Sequence, residues 1–358
     1  MQLSQLTIRD FRNLRNVKID PSPGINLIFG KNASGKTSIL ESIYYLSHLR
    51  SFRTPYLTDI INHEARFLQL FARAENQQKK SIPIGIKRSR QKLEVRANQQ
   101  AIKRVADITS LLPVLAIHPD SYRLITGSPT QRRQYLDWGV FHVEHGFFEA
   151  WQRYKKALTQ RNAAIRSGQD KKYCQLWDAE LDHAAISIDE LRQRYFQNLT
   201  PYMNQLITAF FPGQDIRVEY KRGWKENESL LEYLRQNYDR DKKRGMTQAG
   251  PHRADIQISV DGKSAQTGIS RGQQKTLVAL LKLAQVKQFT ATDIRHCILL
   301  YDDLAAELDD EHRCQILSVL EQMPIQLFLT AIEPQQIDTS HWEDRKMFHV
   351  EQGIVEAF

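Results

Sequence analysis

The sequence predicts an α/β fold from three observations. An apolar strand at 25–29 (INLIF) ends in a glycine-rich turn that opens a helix over roughly 36–48. A second apolar strand, CILLY at 297–301, ends on two adjacent carboxylates, Asp302 and Asp303. A helix over roughly 310–322 then leads into a third such strand, QLFLT.

The turn reads Gly30-Lys31-Asn32-Ala33-Ser34-Gly35-Lys36-Thr37-Ser38, and its first eight residues satisfy G-x-x-x-x-G-K-[ST] between a strand and a helix. The two glycines permit a tight turn that aims backbone N–H groups at phosphate oxygens, and the helix N-terminus adds positive potential. Lys36 is placed to reach the β- and γ-phosphates of a nucleoside triphosphate, and the Thr37 hydroxyl to ligate Mg²⁺. In the helix, Ile39, Leu40, Ile43, Tyr44 and Leu46 form the apolar side, with Ser38, Glu41 and Ser42 on a more polar one.

Asp302 is expected to hold the Mg²⁺ shell and Asp303 to polarise the attacking water. The alternative is that the two carboxylates merely cap the helix that follows. About 265 residues separate the phosphate loop from Asp302, far more than a compact nucleotide core needs, so a large insertion is expected between them. Its first part, 66–104, alternates as antiparallel hairpins do. The next part carries two helical stripes, Phe148, Trp151, Tyr154 and Leu158, then Leu181, Ile188, Leu191, Tyr195 and Leu199. These predict a helical hairpin whose second helix ends or kinks at Pro201. Strands return with IRVEY and ADIQISV, the latter followed by an Asp261-Gly262 turn. A helix near 272–288 and a closing hairpin KMFHVEQGIVEAF complete the pattern.

Composition narrows the setting. With 50 Lys+Arg against 41 Asp+Glu the formal charge is +9, which favours a polyanionic partner such as nucleic acid. Cys174, Cys297 and Cys314 show neither disulfide nor zinc spacing, the N-terminus lacks a signal-peptide pattern, and no apolar run suits a membrane span; a cytoplasmic protein is expected. Basic residues cluster at Lys87, Arg88, Arg90, Lys92, Arg96, Lys103 and Arg104, with further pairs at Lys155-Lys156 and Lys242-Lys243-Arg244, as a phosphate-tracking or simply solvated face would.

Gly268-Ile269-Ser270-Arg271-Gly272-Gln273, opening a helix ahead of the carboxylate strand, resembles the signature segment of ABC-type ATPases. Glu307 and Asp309 resemble the segment that crosses the dimer seam in that class. The set LTIRDFRNL, GKNASGKTSILESIYYLSHLRSFRT, GSPTQRRQYLDWGVFH, LTQRNAAI, GPHRADI, SRGQQKTL and YDDLAAELDD is similar, along essentially the whole chain, to the RecF family. The resemblance implies an α/β, SMC-like ABC-type P-loop ATPase head assembled from both chain ends (1–125 and 245–358), with a β-rich lobe and an inserted helical arm (126–244). It also implies ATP and Mg²⁺ as cofactors, an ATP-dependent homodimer in which Ser270, Arg271, Gly272 and Gln273 meet the partner's γ-phosphate, DNA as a partner, and work with RecR and RecO at single-strand gaps. Asp303 stands where ABC-type proteins usually carry Glu, which implies slow hydrolysis. No glutamine or switch histidine is assigned, since the corresponding stretches read LLPVLAIHPDS and LTAIEPQ, the latter with Glu333. An ABC transporter's ATPase subunit is the rival reading, disfavoured because its helical insert is shorter and directly precedes the signature; a P-loop kinase does not explain SRGQQ.

Overall fold

The computed structural model describes all residues except 77 and 293–295. Along the chain run β1 (Gln2–Phe11), β2 (Leu14–Ile19), β3 (Ile25–Phe29), α1 (Lys36–His48), β4 (Phe67–Glu75), β5 (Ser81–Ser89), β6 (Leu93–Ala97), β7 (Gln100–Ala101), α2 (Val105–Leu111) and β8 (Val114–Ile117). Then come α3 (Arg123–Thr126), α4 (Pro129–Val143), α5 (Phe147–Arg166), α6 (Lys171–Gln175), α7 (Asp178–Phe210), β9 (Ile216–Lys221), α8 (Leu230–Gln236), α9 (Tyr238–Arg244), β10 (Asp255–Val260), β11 (Lys263–Ser264), α10 (Ala265–Gly268) and α11 (Arg271–Thr292). The chain closes with β12 (Cys297–Tyr301), α12 (Leu304–Glu307), α13 (Asp310–Glu321), β13 (Ile325–Ala331), β14 (Arg345–Glu351) and β15 (Ile354–Ala357).

Two compact units result, residues 1–121 with 289–358, and residues 122–288. In the first, a sheet of order β15-β14-β3-β13-β12-β8 is parallel from β14 to β8, with the β14–β15 hairpin at one edge. Strands β3, β12 and β13 are buried at every position, which explains their unbroken apolar runs. An antiparallel sheet, β2-β1-β4-β5-β6-β7, supplies the second layer. So 66–104 is not a free-standing insertion; β4 pairs with the N-terminal strand β1 from Gln2↔Glu75 to Arg9↔Gln69. Leu6, Ile8, Leu68, Leu70, Ile84 and Ile86 from this sheet join Ile39, Leu40, Ile43 and Leu46 of α1 and Ile28, Ile298 and Phe328 of the parallel sheet in one core.

The polar side expected on α1 is absent. Ser38, Glu41 and Ser42 are all buried, because the helix packs against α2, β8, β1 and β13 rather than on one surface. Glu41 tolerates this through a bidentate pairing with Arg12, a hydrogen bond from Ser51 and an ion pair with Arg53.

In the second unit α5 and α7 form the expected antiparallel pair, with Arg161 of α5 against Asp178 and Arg153 against Glu180 of α7. The α5 seam is set one position from the expected stripe: Phe147, Ala150, Tyr154, Ala157 and Arg161 are buried, while Phe148, Trp151 and Leu158 are only half-buried. Small alanines let the helices approach closely, and the larger rings cover the flank. Pro201 neither ends α7 nor sits in its core; the helix runs on to Phe210. Pro201 is exposed, so the carbonyl it leaves unbonded faces water. The second unit extends to 288, so β9, β10 and the Gly268–Gln273 segment pack with the helices rather than rejoining the first unit at 245. Asp261 and Gly262 both have positive φ, as their two-residue hairpin turn requires. Among the described residues no helix is long and apolar enough to cross a membrane.

Candidate nucleotide site

The phosphate loop sits at the C-terminal end of β3. Gly30, Ala33 and Gly35 take φ of 148°, 62° and 123°, which turns successive N–H groups toward one concavity ahead of α1. Gly30 is fixed in type by space as well as by φ, since a Cβ there would lie 2.2 Å from the Val350 carbonyl oxygen. Three hydrogen bonds tie the loop to its surroundings: the Gly353 amide and Asn13 Nδ2 donate to Ser34 O (2.8 and 3.2 Å), and the loop's own Gly30 amide donates to Ile332 O (3.1 Å). Asn13 also accepts from Ser38 Oγ at 2.9 Å, so the Ser38 side chain anchors the loop base.

Lys31, Asn32 and Ala33 are exposed at the crown, whereas Ser34, Gly35 and Lys36 are buried. Lys36 Nζ donates to the carbonyls of Gly30 (2.6 Å) and Lys31 (3.0 Å), so the loop curls round the ammonium. Burial lowers the Lys36 pKa, against the opposing influence of Asp303 and Asp302. Ser34 Oγ is buried without a hydrogen-bond partner, in a loop built to offer donors.

The second half of the site is placed by adjacent parallel strands. Asp302 follows β12 and Thr330 lies on β13 beside it, where Thr330 Oγ1 donates to Asp302 Oδ1 at 2.8 Å and accepts from the Asp303 amide at 2.7 Å. Thr37 Oγ1 lies 3.0 Å from both carboxylate oxygens of Asp302, across 265 residues of sequence. Burial pushes the Asp302 carboxyl above the usual range, while its bonds from Thr330 and Thr37 favour the ionised form. A hydroxyl and a carboxylate side by side form a hard oxygen pair of the kind Mg²⁺ takes together with phosphate oxygens. Thr37 and Asp302 thus fit the ion, as the turned amides and the orphan Ser34 hydroxyl fit an oxyanion.

Asp303 is the N-terminal flanking residue of α12, with φ 60°, yet its side chain makes no capping bond. The helix-cap alternative therefore fails for this carboxylate, which is half-buried and close enough to act on Lys36. Glu333 is different: with Gln336 it forms a capping box on the short turn after β13.

Ser270, Arg271, Gly272 and Gln273 lie in the second unit. Ser270 Oγ accepts from the Gln273 amide (3.3 Å) and Gln273 Oε1 accepts from the Ser270 amide (3.0 Å), a reciprocal cap on α11. The first three are exposed, and a Cβ on Gly272 would meet only the Ser270 hydroxyl, at 3.9 Å. Asp309 caps α13 through the His312 amide (2.9 Å), and Glu307, at the end of α12, is half-buried.

Asn13, Thr330, Gly353 and strand β8 were not legible in the sequence. A lone hydroxyl inside QLFLTA was the one available signal for Thr330. Strand β8 ends at Ile117, whose carbonyl accepts from the Asp302 amide at 2.8 Å, and His118 follows with its ring stacked on Phe52, 4.7 Å between centroids.

Fold and site together define a P-loop ATPase head of the ABC type. The family model for the RecF/RecN/SMC N-terminal domain matches residues 2–356. The DNA replication and repair protein RecF of Aliivibrio salmonicida is 39% identical over 356 residues, and that of Shewanella baltica 40% over 357, each alignment covering 99% of both chains. A solved structure of the recombination mediator protein RecF with ATPrS, described as part of the RecFOR pathway, has a TM-score of 0.86 at 25% identity and covers 99% of this chain and 98% of its own. An SMC head from Pyrococcus furiosus shares the fold, with a TM-score of 0.62 at 15% identity. The chain belongs to the RecF family of DNA replication and repair proteins, and the transporter reading falls with that full-length match.

Proposed function

We propose that the chain is an ATP-gated DNA clamp that uses slow hydrolysis as a timer. The observation that carries this reading is the meeting of Thr37 and Asp302 beside the turned amides of Gly30–Gly35. ATP is held at Gly30–Ser38, with Lys36 against the β- and γ-phosphates. Mg²⁺, held by Thr37 and Asp302, neutralises phosphate charge when bound. Asp303 accepts the proton of the attacking water; its side chain, one methylene shorter than the usual Glu, stands further from the water, which favours a slow step. Ser270, Arg271, Gly272 and Gln273 of a second copy complete the γ-phosphate's ligation, and Glu307 and Asp309 line the seam. The family resemblance and the RecFOR-pathway description of a solved relative support RecR and RecO as partners; work at single-strand gaps follows from the resemblance alone, and a cytoplasmic setting from the sequence reading.

Asp303→Asn should bind ATP as the parent does while slowing single-turnover hydrolysis about 100-fold or more, the range of general-base catalysis. Hydrolysis at the parental rate would assign the base elsewhere. Asp302→Asn should instead shift the Mg²⁺ concentration needed for tight nucleotide binding upward by roughly tenfold, as expected for loss of one charged ligand. An unshifted Mg²⁺ titration of fluorescent-nucleotide binding removes Asp302 from the metal shell.

The clamp itself is tested by sedimentation with ATP, ADP and no nucleotide. A γ-phosphate half-ligated by one chain requires the second, so the dimer should form with ATP and disperse with ADP. Ser270→Arg should bind ATP yet remain monomeric, since a bulky cation in the signature segment blocks close approach of the second copy while the residues Gly30–Thr37 are left unaltered. An equal dimer fraction in all three states, or an undiminished Ser270→Arg dimer, refutes the gating.

A further inference from the structure

The outer face of the antiparallel sheet in the first unit carries a second recognition surface. Strand alternation and register place its side chains in rows. One row runs Lys18, Thr7, Phe71, Gly85, Arg96 across β2, β1, β4, β5 and β6. The next runs Asn16, Arg9, Gln69, Lys87, Glu94, and Arg73 follows two residues beyond Phe71 on β4. The opposite side of the same strands, Leu6, Ile8, Leu68, Leu70, Ala72, Ile84, Ile86 and Val95, is core.

Five cations therefore face outward, Arg9, Lys18, Arg73, Lys87 and Arg96, and all are exposed. None of the five closes an ion pair within 4.0 Å among the described residues. Glu94, the carboxylate nearest Lys87 and Arg96 by register, is taken by Lys92 at 2.7 Å. Two aromatic rings lie among the cations. Lys87 Nζ stands 4.2 Å from the centroid of Phe67, and the Arg73 guanidinium 6.0 Å from that of Phe71. On the β5 side Phe71 faces Gly85, where a Cβ would meet nothing within 4 Å, so its ring has an open flank.

Unpaired cations on a sheet suit a phosphodiester backbone, and half-buried rings between them, Phe71 with its open flank and Phe67 beneath the Lys87 ammonium, suit unpaired bases, which stack on aromatic faces whatever their sequence. A duplex keeps its bases stacked on one another and would leave the phenylalanines unused. From Lys18 to Arg96 the row spans about 19 Å, four strand spacings, the reach of a short run of nucleotides. We propose that this face, centred on Phe67 and Phe71 and ringed by Arg9, Lys18, Arg73, Lys87 and Arg96, binds single-stranded DNA. The inference rests on the DNA-clamp reading and names a surface and strand form for it.

The test measures equilibrium binding of the full chain to a labelled oligo-dT and to a duplex of equal length, over a series of salt concentrations. Two combined variants are compared, Arg73→Gln with Lys87→Gln and Arg96→Gln, and Phe67→Leu with Phe71→Leu; unchanged melting and ATP affinity show that each remains folded. The charge variant should weaken oligo-dT binding and flatten its log–log salt slope by about 2, near 0.7 for each phosphate that is no longer neutralised. The phenylalanine variant should weaken oligo-dT binding roughly tenfold or more, the range of base stacking, with the salt slope and duplex binding unchanged. If the parent binds DNA and both variants bind oligo-dT as it does, the face is wrong and the clamp reading survives. If the charge variant loses both DNA forms and the phenylalanine variant loses neither, the surface tracks backbone only and the single-strand assignment is overturned. A parent that binds neither form sinks the clamp reading and this inference together.

Discussion

Lys36→Ala should weaken ATP binding on the order of 100-fold or more in calorimetry while the protein stays folded. Charge-assisted hydrogen bonds contribute roughly 1.5–3 kcal/mol each, and an ammonium reaching two phosphates makes at least two. The side chain is buried in the loop, where its hydrogen bonds to Gly30 O and Lys31 O set the curl that aims the amides. Alanine thus removes a charge and loosens the cradle together. Helical circular dichroism should be unaltered, because the core side of α1 is formed by Ile39, Leu40, Ile43 and Leu46 rather than by Lys36. A folded Lys36→Ala protein with parental affinity would place the nucleotide elsewhere.

The second large effect is on stability and lies in the second unit. Arg161 of α5 is fully buried and donates at 2.7 Å to Asp178, to Asp241 and to the Thr247 hydroxyl. Burial raises the Asp241 pKa, and the hydrogen bond and charge of Arg161 oppose that by favouring the ionised form. Arg161→Met fills similar volume but leaves two buried carboxylates without a cation. Breaking a buried pair from one side costs about 3–5 kcal/mol, which lowers the melting temperature of a unit this size on the order of 10 °C. Adding Asp178→Leu and Asp241→Leu to the Arg161→Met protein should recover most of the loss, since an apolar cluster replaces the whole network. If Arg161→Met melts with the parent, helix packing alone holds this unit together.

How much of the site could be read locally follows from what each residue depends on. Gly30, Gly35, Lys36 and Thr37 were legible because a phosphate cradle needs a fixed spacing between a strand end and a helix start, and the expected helix, 36–48, is the one observed. Asp302 and Asp303 were legible because a buried strand announces itself as an unbroken apolar run, so the first carboxylates after it stand out. Asn13, Thr330 and Gly353 were not, since each acts through a partner brought near only by the fold: Asn13 on Ser34 and Ser38, Thr330 on Asp302, Gly353 on Ser34. Strand β8 is four residues long and carries no periodicity that separates it from a loop.

Local pattern alone marks out the phosphate loop, the carboxylate strand, the α/β class and the helical pair, because backbone sterics and hydrophobic period act over a few residues and leave their trace in the chain. Long-range packing set the rest. It buried Glu41 and Ser42 on a helix whose sequence promised a polar side, because α1 is enclosed by α2, β8, β1 and β13 and no local pattern reports how many neighbours an element will have. It set the α5 seam on Phe147, Ala150, Tyr154 and Ala157, and it let α7 run on through an exposed Pro201. It also joined Thr37 to Asp302 across 265 residues, through the order β3-β13-β12 of a parallel sheet, a pairing that long-range packing settles and short-range preference does not.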